Sequence, residues 1–154
     1  KRLITEGYRI HTFILGVGEE KTTIEKYILK EKVADTFHFL GYETNPYKYV
    51  KDSDLFICSS LSEGFSTAIT EALILGTPVV STNVSGVRDQ LGDNEYGIIT
   101  KNNEVSLYKG IKYLLDNPDI LQHYKYKAKE RGKSFRKEET VSLVEKMFVE
   151  LVKK

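Results

Sequence analysis

SSLSEGFSTAITEALILGTPVV, from Ser59 to Val80, decides how the rest of the chain is read. A β-branched apolar run ends near Ser59, a polar turn containing Gly64 follows, a helical pattern begins near Ser66, and Gly76-Thr77-Pro78 stops it before another apolar run. Strand, glycine turn, helix and strand in that order describe one repeat of a parallel α/β sheet, whose ligands sit where the carboxyl end of a strand feeds a helix. At such a turn the unpaired N–H groups of Gly64, Phe65, Ser66 and Thr67 and the positive end of the helix dipole suit an anion, most often a phosphate. Gly64 lets the backbone approach it closely.

Working outward, further apolar runs lie at 9–16, 36–40, 54–60, 78–82 and 96–100, with helical stretches at 19–31, 46–52, 66–75 and 86–91 between them. The runs at 9–16, 54–60 and 78–82 are apolar at nearly consecutive positions, as expected of strands covered by helices on both faces. Beyond Thr100 the pattern turns helical at 103–116, 119–132 and 138–152, with Asn117-Pro118 as a boundary because proline withholds a donor and fixes φ. The opening KRLITEGY reads as a helix end with its terminal glycine running at once into a strand. A doubly wound sheet opens on a strand, so the expectation is a fragment: one domain over 1–154, its part from 101 to 154 helical, its first strand missing.

Composition narrows the function. With 154 residues and 40% of them hydrophobic, the chain can bury roughly 70% of the surface its unfolded form exposes. Its single cysteine, Cys58, excludes a disulfide framework and reads as a small buried hydrophobe in a reducing cytosol. A net charge of +1 gives no global reason to expect a polyanion. Residues 1–100 carry 10 basic and 14 acidic side chains and 101–154 carry 13 and 8, and seven of those bases cluster in HYKYKAKERGKSFRK, residues 123–137. That cluster suits an anionic lipid surface, although a solvated helix face is the favoured reading, and no nucleic-acid motif accompanies it. No apolar run reaches the roughly 20 residues of a membrane helix. His11, His38 and His123 are scattered without companion cysteines, so no metal site is expected, and His38 reads as packing within its strand.

Two carboxylates frame the central turn, Glu63 before the helix and Glu71 eight residues on. At 100° per residue Ala68, Ile69, Ala72, Leu73 and Leu75 share one arc, with Glu71 at its margin. A carboxylate at the edge of a buried face needs donors, and a vicinal diol of a sugar matches its acceptor-only chemistry. Taken alone, Glu63 is also a favourable charge at a helix start and Glu71 a half-exposed helix residue. Set together on a strand, glycine turn and helix, they point to sugar and phosphate recognition.

SEGFSTAITEALILGTPVV resembles the E-x7-E signature of retaining GT-B glycosyltransferases, which include capsule, lipopolysaccharide and teichoic-acid sugar transferases. The resemblance runs from about Arg9 to Leu115 and takes in FILGVGEE, FHFLGYETN, SDLFICSS and VSGVRDQLGDNEYGIIT. It implies the donor-binding, C-terminal half of a GT-B fold, a nucleotide-diphosphate sugar (UDP- or GDP-sugar) as donor, no tightly bound cofactor, and a saccharide or lipid-linked acceptor. Catalysis would then fall to Glu63, at the donor sugar, and ribose binding to Glu71. Gly64, Phe65, Ser66 and Thr67 would offer amides to the diphosphate, Leu40, Gly41 and Tyr42 would hold the base, and Gly16 and Gly18 would form the glycine loop.

The mechanism implied is front-side displacement with retention, the leaving diphosphate being stabilised electrostatically. Three departures stand out: EGFG is EGFS, so Ser66 must take an ordinary φ and its hydroxyl can cap the helix; paired glycines appear as Ser85-Gly86; and no residue inherits the basic phosphate-binding pair. With its amino-terminal partner domain also lacking, the fragment is expected to bind nucleotide weakly and transfer little or no sugar, at the cytoplasmic face of a membrane. The rival readings are a non-catalytic nucleotide-binding module and a nucleotide-sugar epimerase.

Overall fold

A computed structural model of the chain describes residues 1–135. They fall into two compact units, the first Lys1–Tyr49 and the second beginning at Val50. In the first, α1 (Arg2–Thr5) ends at Gly7, whose φ of +93° carries the chain toward β1 (Thr12–Leu15). The expected helix end followed by a strand is therefore present. Helix α2 (Lys21–Lys30) and a single 3-10 turn (Ala34–Thr36) lead to β2 (Phe37–Gly41), and α3 (Tyr47–Asp52) continues the chain into the second unit. β1 and β2 pair in parallel, Thr12 opposite Phe37 and Ile14 opposite Phe39, with an irregularity that brings Leu15 opposite Gly41. Parallel neighbours need a long crossover, and α2 supplies it.

The second unit repeats the device twice. It contains β3 (Phe56–Cys58), α4 (Thr67–Leu75), β4 (Val79–Thr82), α5 (Val87–Leu91) and β5 (Ile98–Thr100), then α6 (Glu104–Asp116) and α7 (Pro118–Lys133). The three strands are parallel in the order β3-β4-β5, with Phe56 opposite Val79 and Val80 opposite Ile98. β4 lies centrally, and all four of its residues are buried. The core joins Ile69, Ala72 and Leu73 of α4 to Val79, Val87, Leu91 and Ala128. Each fully buried Ile or Leu there contributes about 2 kcal/mol, which is what fixes α4 against the sheet.

The parallel α/β architecture with helices on both faces is as expected, but hydrogen bonding groups the five strands into a two-stranded and a three-stranded sheet, not one. Strands are also shorter than the apolar runs. The run at 54–60 pairs only over Phe56–Cys58, because the Thr82 hydroxyl donates to the carbonyl oxygen of Ser60 (2.6 Å) and draws the following residues into the turn. On α4 the buried face is narrower than the wheel implied: Ile69, Ala72 and Leu73 are buried, Leu75 is half-buried and Ala68 is exposed. Asn117 closes α6 and Pro118 opens α7, as the sequence indicates. The helix expected at 138–152 lies outside the described residues.

Candidate functional site

Helix α4 starts where its sequence breaks the preceding extended run. Ser66, at φ −75° and ψ 114°, is its N-cap residue, and Gly76, at φ +77°, ends it in the left-handed conformation that glycine tolerates. The expectation that the Ser66 hydroxyl caps the helix is corrected: it makes no capping bond. The clamp comes from α5 instead. Gln90 is fully buried, its Oε1 accepts the Ser66 N–H (3.3 Å), and its Nε2 donates to the Ser66 carbonyl (2.6 Å) and the Thr70 hydroxyl (2.8 Å). A second correction follows, since Ser66 is not one of the free amides. Among the described hydrogen bonds, the N–H groups of Gly64, Phe65 and Thr67 have no intramolecular acceptor.

The turn before the helix is tied down residue by residue. The Ser60 hydroxyl donates to Glu63 Oε2 at 2.8 Å, and the Cys58 thiol lies 3.6 Å from the Ser60 oxygen. Thr82 holds the Ser60 carbonyl from β4, and Asn102 Nδ2 donates to the Leu61 carbonyl at 3.0 Å. Gly86 approaches from the other side: with φ +74°, a Cβ there would lie 2.8 Å from the Gly64 carbonyl oxygen and 3.3 Å from Phe65 Cα. Only glycine suits both that angle and that distance. Gly64 itself is exposed, Phe65 is 54% exposed with its ring edge toward Phe135, and Thr67 is exposed. Glu63 and Glu71 are both half-buried. Thus the second unit presents a turn with three acceptor-free amides at a helix N-terminus, one carboxylate hydrogen-bonded before it and another about one turn into the helix.

The first unit places its own candidates at the ends of its two strands. The Gly16 N–H donates to the Gly41 carbonyl at 2.7 Å, with φ +108° at Gly16 and +70° at Gly41. Leu40 is half-buried, while Gly18 and the side chain of Tyr42, 76% exposed, face solvent.

The remaining groups have structural duties. Cys58 is a buried free thiol. His38 stacks on both Phe13 and His11, and the two histidines share a 3.0 Å contact between His11 Nδ1 and His38 Nε2. Among the described residues no group of three or more His, Cys, Asp or Glu is placed to hold a metal, and no helix is long and apolar enough to cross a membrane. Two bases of the 123–137 cluster engage partners within the fold and a third, exposed Lys129, packs its stem. Lys127 pairs with Glu95 and Glu130, the Lys129 stem lies over Gly76, and Arg131 donates to the carbonyls of Asp89 and Gln90 beneath its contacts with Tyr96 and Phe135.

The residues that the turn depends on and that sequence spacing did not single out include Ser60, Thr82, Gln90 and Asn102. Gln90 had a signal. In VRDQL it falls at i, i+3, i+4 with Val87 and Leu91, all three buried, and a polar side chain on an apolar helical face must find partners.

Residues 1–131 match the family described as glycosyl transferases group 1. The chain is 36% identical, over 80% of its length, to an N-acetylgalactosamine-N,N'-diacetylbacillosaminyl-diphospho-undecaprenol 4-alpha-N-acetylgalactosaminyltransferase of Campylobacter jejuni, of which it spans 34%. It is 30% identical, over 86% of its length, to a poly(ribitol-phosphate) alpha-N-acetylglucosaminyltransferase of Staphylococcus aureus, of which it spans 27%. Among solved structures it superposes on a variant of S. aureus TarM in complex with Fondaparinux, alpha-GlcNAc-glycerol and UDP with a TM-score of 0.82 and 27% identity, covering 95% of this chain and 30% of that one. The chain therefore spans about a third of the length of these relatives. With a family match over residues 1–131, the chain belongs to the group 1 glycosyl transferases.

Proposed function

We propose that this chain is the donor-binding, C-terminal part of a retaining GT-B glycosyltransferase that moves a sugar from a UDP- or GDP-sugar to a saccharide or lipid-linked acceptor. The amides of Gly64, Phe65 and Thr67 bind the donor diphosphate, Ser66 sets their direction, Glu63 receives the sugar hydroxyls, and Glu71 accepts hydrogen bonds from the ribose diol. In the first unit, taken by itself, Gly16, Gly18, Leu40, Gly41 and Tyr42 form the strand-end loops that take the base. Negative charge gathering on the leaving diphosphate meets fixed N–H dipoles that need no reorganisation, which is how such a turn accelerates departure of the leaving group. Acceptor binding belongs to a separate amino-terminal domain, and no residue here takes the part of the basic phosphate-binding pair, so the chain alone binds donor weakly and transfers little or no sugar. The complete enzyme works at the cytoplasmic face of a membrane.

The observation that carries this reading is the set of acceptor-free amides beside Glu63, whose carboxylate Ser60 holds at 2.8 Å. Titration calorimetry with UDP and GDP tests it. One of the two binds, and Glu71→Ala weakens that binding by about 10- to 100-fold, the worth of a charge-assisted pair of hydrogen bonds. Unchanged affinity for both nucleotides in that variant contradicts the assignment.

A further inference from the structure

We infer that Gln90 is a positioning residue for the diphosphate-binding turn, an inference that rests on the donor-binding reading. Its carboxamide lies against the Ser66 peptide as a neighbouring strand would, accepting from its N–H and donating to its C=O, so one rigid planar group fixes both ends of that residue. Ser66 separates Phe65 from Thr67, and the orientation of their amides follows from its φ and ψ. A serine that capped α4 with its own hydroxyl would leave this peptide held only by the helix it starts. Here the hydroxyl makes no such bond and the hold comes from a different helix.

The brace has two further supports. Gly86, which precedes α5, lies against the Gly64 and Phe65 backbone, so α5 and its leading turn touch the loop on both sides of Phe65. Arg131 of α7 donates to the carbonyls of Asp89 and Gln90, satisfying the C-terminal end of α5 and pinning the residue that carries the carboxamide. The line of force runs from α7 through Arg131 to Gln90 and on to Ser66. Gln90 touches no substrate, and its effect on the diphosphate acts through the direction of the neighbouring amides.

Gln90→Met keeps the length and apolar fill but removes the donor and acceptor. Gln90→Glu keeps the size but cannot donate when ionised. The chain and both variants are titrated with the nucleoside diphosphate that the unmodified chain binds and with the matching nucleoside, and amide hydrogen exchange is followed by NMR without ligand. In Gln90→Met, which removes the acceptor, Ser66 N–H exchange accelerates while Leu73 N–H stays protected. Affinity for the diphosphate falls about tenfold, while that for the nucleoside stays within about twofold. Equal losses for nucleoside and diphosphate, failure of both variants to fold, or an undiminished diphosphate advantage despite a freed Ser66 amide would each assign Gln90 a purely structural role and overturn the inference. An unmodified chain that gains nothing from the diphosphate over the nucleoside instead overturns the donor-binding reading and this inference with it.

Discussion

At the scale of single residues, what distinguishes Glu63 from an ordinary loop carboxylate is the Ser60 hydroxyl that points it, and Ser60 is in turn held through its carbonyl by Thr82. Each link is one hydrogen bond, worth about 1 kcal/mol net, and together they restrict the rotamers open to the Glu63 carboxylate. Tyr124 shows the same economy away from the site. Its hydroxyl donates to the Asn94 carbonyl at 2.9 Å, and burial raises its pKa above the ordinary 10.0. Tyr96, through its hydrogen bond with Glu95, and Lys127, through Glu130, are raised as well. In each case the native state holds its proton more tightly than the unfolded chain does. Their stabilisation is complete below the unfolded pKa and is lost as pH rises through the native one. Urea unfolding between pH 8 and 11 is expected to show stability falling above about pH 10, less steeply in Tyr124→Phe, which also loses about 1 kcal/mol at neutral pH. Equal slopes in the two proteins would remove Tyr124 from this account.

At the scale of elements, α7 meets α4 at an interface that only a residue without a side chain allows. A Cβ on Gly132 would collide with the Leu73 carbonyl oxygen and come within 2.7 Å of Ile74 Cα, both backbone atoms that no rotamer change can move. Buried Ala128 lies one turn earlier on the same face. Gly132→Ala should therefore cost roughly 2–3 kcal/mol, despite alanine's better helix propensity, and lower the thermal midpoint by several degrees. A more stable variant would mean that α7 sits farther from α4 than described. Elements were also the scale most legible in the sequence. Unbroken apolar runs such as PVVST and the Gly76-Thr77-Pro78 stop name β4 and the end of α4 without outside help, because β-branched runs and glycine terminators act locally. Gln90, 24 residues from Ser66, stayed hidden because its partners are brought to it by folding, and so did the division of the strands into two sheets, which no single segment encodes.

At the scale of the whole molecule, a near-neutral chain built from parallel strand–helix repeats offers an anion acceptor-free amides at a strand-to-helix turn rather than a large net charge. That Glu63 and Glu71 flank the turn was visible in the sequence because their spacing is local. The assignment of Ser66 as a free amide was not, because that depends on a neighbour from another helix. The basic segment 123–137 makes the same point in reverse. Read as a string it is a uniformly cationic surface, whereas in the fold Lys127 pairs with Glu95 and Arg131 donates to the end of α5, while Lys125, Lys129 and Lys133 stay exposed. The most direct test of the central claim is an NMR titration of the amide-labelled chain with UDP and GDP. The account predicts that one of them shifts the Gly64, Phe65 and Thr67 amide resonances first and most within the second unit, in proportion to occupancy. Binding that leaves those three resonances unmoved would contradict it.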